Sequence, residues 1–426
     1  VVPPGIALDG QLSMPSVTIL TQYFAPEMGA PQARLSELGE RLIDRGWDVQ
    51  ALTALPNYPF GRVLPGYRHW SSVVENVGRI RTVRVPLYPT KRGGALRLAS
   101  YLSFAASARV LGPRLCSRPD LLYVESPPLF IGYAAFPLCR RWGCPYVLNV
   151  SDLWPESAVR LGMAKPGPAV TLAERLEKKM YRSAIGVTGQ SDHIVAAVER
   201  TAPGTRTAVI TNGIELTRFG ASQATPEART LLGSEAGPVF IYAGLMGFAQ
   251  GLDQVLDLAA QLPGEVPGRF VLVGDGPERE ALARRIARER IPRIRILPPQ
   301  SREQVPGLLA AADAAIITLG MDLPGAIPSK IYEAMASSLP ILLVASGEAA
   351  RRVREANAGL TVEPRDAKGL REAYIRLASD PLLRQALGSD GRAAAESRYS
   401  RAAIADQLDR FLRVRLDSWS LAQDRR

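Results

Sequence analysis

Residues 17–53 read VTILTQYFAPEMGAPQARLSELGERLIDRGWDVQALT, and the fold class follows from this stretch. A run of Val, Ile and Leu at 17–20 is followed by a loop containing Gly and Pro. Next comes an amphipathic segment with Leu35, Leu38, Leu42 and Ile43 on one face and Gly46 placed to end it, then a second apolar run at 49–53. Short, nearly all-apolar strands alternating with amphipathic helices are the βαβ pattern of a parallel sheet covered on both faces. The alternation continues outward through candidate strands at 82–85, 121–125, 146–150, 185–188 and 208–211. A second series follows Asn212-Gly213 and a polar stretch at 217–238, with strands at 239–243, 270–273, 294–297, 315–318, 341–344 and 360–362. Two doubly wound α/β domains are predicted. Their ligands should lie outside the carboxyl ends of the strands, and a cleft between the domains is the expected site.

The expected boundaries are a disordered leader at 1–14, a first domain at 15–213, a linker and second domain at 214–398, and a C-terminal helix at 399–426. That helix carries one apolar stripe, Ile404, Leu408, Phe411, Leu412, Leu416 and Trp419. The leader is polar and Pro-rich and lacks a basic start, so it does not read as a signal peptide. In 426 residues, 46% hydrophobic and 22% charged, with 37 Gly and 34 Pro scattered without a period, collagen-like, coiled-coil and disordered classes are excluded. Three cysteines at no metal-like or disulfide-framework spacing point to a reducing compartment. The uncharged stretch 126–139 is shorter than the roughly 20 apolar residues that a membrane-spanning helix needs.

The net charge of +11 is concentrated. Between Phe60 and Arg118 stand 11 basic residues and one acid, Glu75. Such a local field calls for an anionic partner: a membrane surface, a lipid-linked phosphate or nucleic acid. The last is disfavoured, because the region has no helix-turn-helix, zinc or RNA-recognition signature.

Four segments could carry chemistry. The loop 22–31 leads into the first helix, where free N–H groups favour an anion, although an ordinary turn has the same composition. Gly274-Asp275-Gly276-Pro277-Glu278 opens a helix after a strand, but Arg279 stands where a dinucleotide fingerprint needs its third glycine. Lys330 and Glu333 share one face at the start of a helix, which suits a diphosphate and a ribose, or else a surface ion pair. Asp152 follows the strand 146–150 and is either a catalytic or acceptor-binding carboxylate or the N-cap of a short helix. His69 and His193 have no second ligand at metal spacing, and no Asp-x-Asp occurs, so no metal site and no resident cofactor are expected.

Together these segments resemble the family 4 glycosyltransferases of the GT-B fold, two Rossmann-like domains facing a cleft. The resemblance is strongest to the branch that builds bacterial O-antigen, capsule and colanic acid. It rests on residues 23–31, 55–62 and 152–157, on Thr211-Asn212-Gly213-Ile214, on Tyr242-Ala243-Gly244, on residues 273–278, and on Pro328-Ser329-Lys330-Ile331-Tyr332-Glu333. Singly each is common; seven in this order are specific.

The resemblance implies a retaining transfer of a sugar, an N-acetylated hexosamine or deoxy derivative, from a UDP-linked donor to a lipid-linked or saccharide acceptor. The C-terminal helix would cross back to the first domain. Gly29 would lie against the donor, Gly274 and Gly276 near the base, the N–H groups of Ser329 and Lys330 on the phosphates, and Glu333 on the ribose. Gly244, Gln250 and Gly325 complete the expected donor site, and Asp152, Lys330 and Glu333 are the catalytic candidates. Three departures stand out. Gly325 replaces a glutamate that usually contacts the sugar, Leu245 and Gln250 replace the usual diphosphate-neutralising pair, and Ser151-Asp152 stands where many relatives have histidine. Lys330 then becomes the leading cation, at oxygens where charge develops as the glycosidic bond breaks.

Lys91, Arg92, Arg97, Tyr101 and Phe104 are expected to form a basic, aromatic surface for anionic lipid, placing the protein in the cytoplasm at the inner face of the plasma membrane. Two competing classes are a GT-B-fold sugar-nucleotide epimerase and a non-catalytic partner subunit.

Overall fold

The structure is a computed structural model and describes residues 14–27, 30–68, 70–160, 164–233, 237–301, 303–320, 325 and 327–425. The chain forms two compact units. The first runs to Thr211 and resumes at Ala405; the second is Asn212–Ile404.

In the first unit one sheet contains β1 (Ser16–Leu20), β2 (Asp48–Ala54), β3 (Val73–Val77), β4 (Ile80–Val85), β5 (Leu121–Ser126), β6 (Tyr146–Val150), β7 (Gly186–Gly189) and β8 (Thr207–Val209). Their order is β3-β4-β2-β1-β5-β6-β7-β8. All pairs are parallel except β3 with β4. The central strands are apolar because helices cover both faces: Val17, Ile19, Leu20, Leu121, Leu122 and Val124 are buried. Strand β3 was not predicted. It alternates half-buried and exposed residues at the sheet edge and turns into β4 at Gly78, whose φ of 60° admits the two-residue hairpin.

The helix Ala30–Ile43 buries Leu35, Leu38 and Leu42, and Gly46 ends its turn at φ 79°. Beside it the C-terminal helix Arg401–Asp424 is fastened by polar contacts. Trp47 Nε1 donates to Asp409 Oδ1 at 2.6 Å, Arg413 Nε donates to the same oxygen at 2.7 Å, and Arg45 Nε reaches Asp406 at 2.8 Å. Leu408 and Leu412 of its predicted stripe are fully buried, and Phe411 lies over the backbone of Gly186, where an added Cβ would come within 2.7 Å.

The helix Ala95–Leu115 corrects one expectation. Phe104 is completely buried with Ala105 and Ala108, so it belongs to the core and not to a lipid-facing surface. The exposed apolar residues of this helix are instead Leu98, Leu102 and Val110. Among the described residues no helix is long and apolar enough to cross a membrane.

The second unit has six parallel strands, β9 (Val239–Ala243), β10 (Arg269–Val273), β11 (Ile294–Leu297), β12 (Ala314–Thr318), β13 (Ile341–Val344) and β14 (Gly359–Val362), in the order β11-β10-β9-β12-β13-β14. The rings of Phe240, Phe270 and Tyr374 pack with centroids 4.5–5.9 Å apart beneath it. The stretch expected as a polar linker is partly structured and packed. Thr225 caps the helix Pro226–Leu232 by accepting from Ala228 N at 3.1 Å, and Leu232 is fully buried. In each sheet the strand order reverses once, between β1 and β5 and between β9 and β12, which are the points where such sheets open a crevice for ligands.

Candidate functional site

The loops after β9 and β10 interlock. Gly244 N donates to Val273 O at 2.8 Å and Met246 N to Asp275 O at 2.8 Å. Gly274 (φ 147°) and Gly276 (φ 152°) face the carbonyl oxygens of Gly244 and Met246, with which a Cβ would collide. These two glycines are therefore required by loop packing alone.

Gly244 has a different duty. It lies under the side chain of Lys330, and a Cβ there would stand 2.5 Å from Cε and 2.8 Å from Nζ. The Lys330 ammonium sits 5.1 Å from the centre of the Tyr242 ring. The surface ion pair with Glu333 that the spacing allowed is not formed, and Lys330 has no carboxylate within 4 Å among the described residues. Desolvation lowers its pKa below the usual lysine value, with the Glu333 charge offsetting part of the effect. A cation kept partly dehydrated over an aromatic ring, with no carboxylate within 4 Å among the described residues, suits an anionic ligand.

Lys330 is on the first turn of the helix Ser329–Ala336, which follows Pro328 and has no side-chain cap; Ile331 N donates to Pro328 O at 3.1 Å, while the N–H groups of Ser329 and Lys330 have no partner among the described residues. Glu333 lies one turn on, with Ser329 Oγ 3.5 Å from its Oε1. Thus Gly244, Ser329, Lys330 and Glu333 are brought together. Gln250 is used differently: its Oε1 accepts from Gly247 N at 3.0 Å and its carbonyl accepts from Thr318 Oγ1 at 2.5 Å, so it closes its own turn rather than replacing a cation. Gly325 adopts φ 75° and presents no side chain to a sugar.

In the first unit a polar network lies at the carboxyl ends of the central strands. Arg34 Nη2 donates to Glu125 Oε1 at 2.7 Å and to Ser151 Oγ at 3.1 Å. Asn149 Nδ2 donates to Glu125 Oε2 at 2.8 Å, and Gln190 Nε2 to Ser151 Oγ at 2.7 Å. Both ions of the Arg34–Glu125 pair are buried, at 2% and 3% exposure. Arg34 Nε and Nη1 and the Oε1 atoms of Gln22 and Gln32 are buried without partners among the described residues. Sequence reasoning missed this network. Its signal was Glu125 itself, since a carboxylate closing a strand buried on both faces needs a cation.

Asp152 does not cap the backbone. Its Oδ1 accepts from Ser157 Oγ at 2.5 Å, while Ser157 N bonds Leu153 O at 2.8 Å. Glu27 is a structural tie: it accepts from Phe24 N, Asn57 N and Tyr58 N at 2.7–3.1 Å and joins the loops that follow β1 and β2. Burial raises its pKa despite those three donors. Gly29 and His69 fall outside the described residues. Of the basic surface, Lys91, Arg92 and Arg97 are exposed, and Tyr101 is half-buried with its ring stacked 6.5 Å from that of Phe130.

Two α/β units, each built on a mainly parallel sheet with one order reversal, are the architecture of a class, the GT-B glycosyltransferases. Two family models match the chain, one in each unit: a glycosyl transferase 4-like domain over residues 29–213 and glycosyl transferases group 1 over residues 226–394. The chain belongs to the family 4 glycosyltransferases. It is similar to WcaI of Escherichia coli K12, named as a colanic acid biosynthesis glycosyl transferase, with 27% identity covering 74% of this chain and 79% of that one. A GDP-mannose-dependent phosphatidylinositol monomannoside mannosyltransferase of Corynebacterium glutamicum is 28% identical over 47% of this chain and 54% of its own length. Among solved structures, HepE of Anabaena in complex with UDP superposes with TM-score 0.67 at 19% identity, covering 94% of this chain and 100% of that one.

Proposed function

We propose that this enzyme transfers a sugar, with retention of configuration, from a uridine diphosphate-linked donor held in the second unit to a lipid-linked or saccharide acceptor in cell-surface polysaccharide assembly. The observation that carries the reading is Lys330, an ammonium with no carboxylate within 4 Å among the described residues, at a helix start where the Ser329 and Lys330 N–H groups have no partner among those residues. As the donor bond breaks, negative charge grows on the leaving diphosphate, and a preplaced cation with two backbone donors lowers that barrier. Glu333, one helical turn away, is placed to accept from ribose hydroxyls. No covalent nucleophile is invoked: a leaving phosphate oxygen takes the proton of the acceptor hydroxyl on the same face of the sugar. Asp152, with one oxygen held by Ser157, is the carboxylate assigned to the acceptor side.

The sugar is read as an N-acetylated hexosamine or deoxy derivative, by resemblance to the polysaccharide branch to which WcaI is named. The acceptor is placed at an anionic membrane, on the exposed stripe Leu98, Leu102 and Val110 with Lys91, Arg92 and Arg97 beside it. The test is calorimetric titration with UDP, GDP and ADP, with and without magnesium. Selective UDP binding that does not need the metal is expected; GDP selectivity would overturn the donor assignment.

A further inference from the structure

A cavity of the first unit, about 1050 Å³ and open to solvent, is not at the carboxyl ends of the strands. It lies at their opposite ends. Its wall includes Tyr146, the first residue of β6, and Ile185, just before β7, whereas Ser151 and Gln190 follow the other ends of the same strands. Five residues of β6 separate the two places, about 15 Å along the strand.

Five cations converge there from four elements: Arg109 on the helix Ala95–Leu115, Arg118 in the loop before β5, Arg140 and Arg141 in the last turn of Gly132–Trp142, and Lys179 on Pro168–Ser183. None of the five has an ion pair or a side-chain hydrogen bond among the described residues. Asp424 is the one carboxylate in the lining. A basic pair in the last turn of a helix is explained by the helix dipole, and Arg140 and Arg141 need nothing more. The dipole does not account for the other three cations lining the same cavity; all five are exposed, and together they give its rim a positive field that attracts anions.

The remaining wall is apolar. Phe136 and Trp419 are half-buried in it, and Lys179 Nζ rests 4.9 Å over the Phe136 ring. Cys139 and Cys144 also line the cavity, and the Cys139 thiol is pushed well above its usual range by its contact with Cys144 and by burial. The cavity thus combines an apolar wall with a strongly positive rim.

We propose that this cavity is a second ligand site, for a phosphate ester with an apolar or aromatic body: the phosphate among the Arg118, Arg140 and Arg141 guanidiniums, the body against Phe136 and Trp419. Guanidinium forks match phosphate oxygens, and an aromatic wall gives the body a dry face. Two sources supply that chemistry, a soluble organic phosphate and the headgroup region of an anionic lipid.

The test uses the full chain and its Arg140→Gln, Arg141→Gln double variant, with 1-naphthyl phosphate followed by calorimetry and anionic vesicles followed by sedimentation. The vesicles are phosphatidylcholine with and without phosphatidylglycerol. Binding of either probe that falls about tenfold or more in the double variant, with UDP affinity and Tm unchanged, is the expected result. Trp419→Phe should also remove the fluorescence change on ligand addition. Loss confined to naphthyl phosphate assigns the soluble source, and loss confined to phosphatidylglycerol vesicles assigns the lipid. Neither probe binding, or both binding the double variant as well as the parent, would overturn the site.

Discussion

At Gly244 a single hydrogen decides whether Lys330 can lie where it does, because a Cβ would stand 2.5 Å from its Cε at a backbone φ of 142° that disfavours any other residue. Gly244→Ala is expected to reduce kcat by about 10²-fold or more, the scale seen on losing one electrostatic contact to a transition state, although it removes no charge. Steady-state kinetics with Tm as a control checks this; unchanged kcat would separate Lys330 from catalysis. The Arg34–Glu125 pair makes a complementary prediction. Arg34→Met leaves a buried carboxylate unpaired and should cost about 3–5 kcal/mol in urea unfolding, while adding Glu125→Gln should recover a large part. The two residues differed in legibility. Lys330 stood in a segment whose residue types and order pointed to a diphosphate, whereas Arg34 is one arginine in an amphipathic helix and only tertiary structure shows which strand it faces.

At the scale of elements, the helix Ala95–Leu115 shows what periodicity leaves open. Its apolar residues are spread widely enough that more than one face could be buried, and the structure buries Phe104, Ala105 and Ala108 while exposing Leu98 and Leu102. Phe104→Ala should cost about 3–5 kcal/mol of stability. Leu98→Ser with Leu102→Ser should leave Tm nearly unchanged and weaken sedimentation with anionic vesicles; equal sedimentation would remove that face from the membrane reading. The central strands and the first helix were legible because burial on both faces leaves a continuous apolar signal. Strand β3 was not, since at an exposed edge half of its positions are free to be polar.

The helix Pro168–Ser183 carries a pH effect. Burial, helped by the neighbouring Glu156 and Glu174 charges, raises the Glu177 pKa to about 7. Because the folded pKa lies above the unfolded value near 4.5, the stability tied to protonated Glu177 is fully present below about pH 4.5 and is lost as pH rises through 7. Glu177→Gln should therefore raise Tm at pH 8 and flatten its fall between pH 5 and 8; a parallel profile for the variant would refute the assignment.

Over the whole molecule, two sheets that each reverse strand order once place polar groups with unspent hydrogen-bonding capacity at their carboxyl ends: Arg34, Gln22 and Gln32 in the first, the Ser329 helix start and Lys330 in the second. The family and both sheets could be read from short apolar runs and seven ordered segments. The partners of the charges could not, because ion pairs such as Arg34–Glu125 join residues distant in the chain. The central claim is that the second unit binds a nucleoside diphosphate through Lys330. Its most direct test is calorimetric titration of UDP into the parent protein and into Lys330→Met. The account predicts saturable binding to the parent that weakens by about tenfold or more in the variant, the scale of a charge-assisted contact, with Tm preserved. Equal affinity in both proteins, or no binding of UDP by the parent at millimolar concentration, would contradict it.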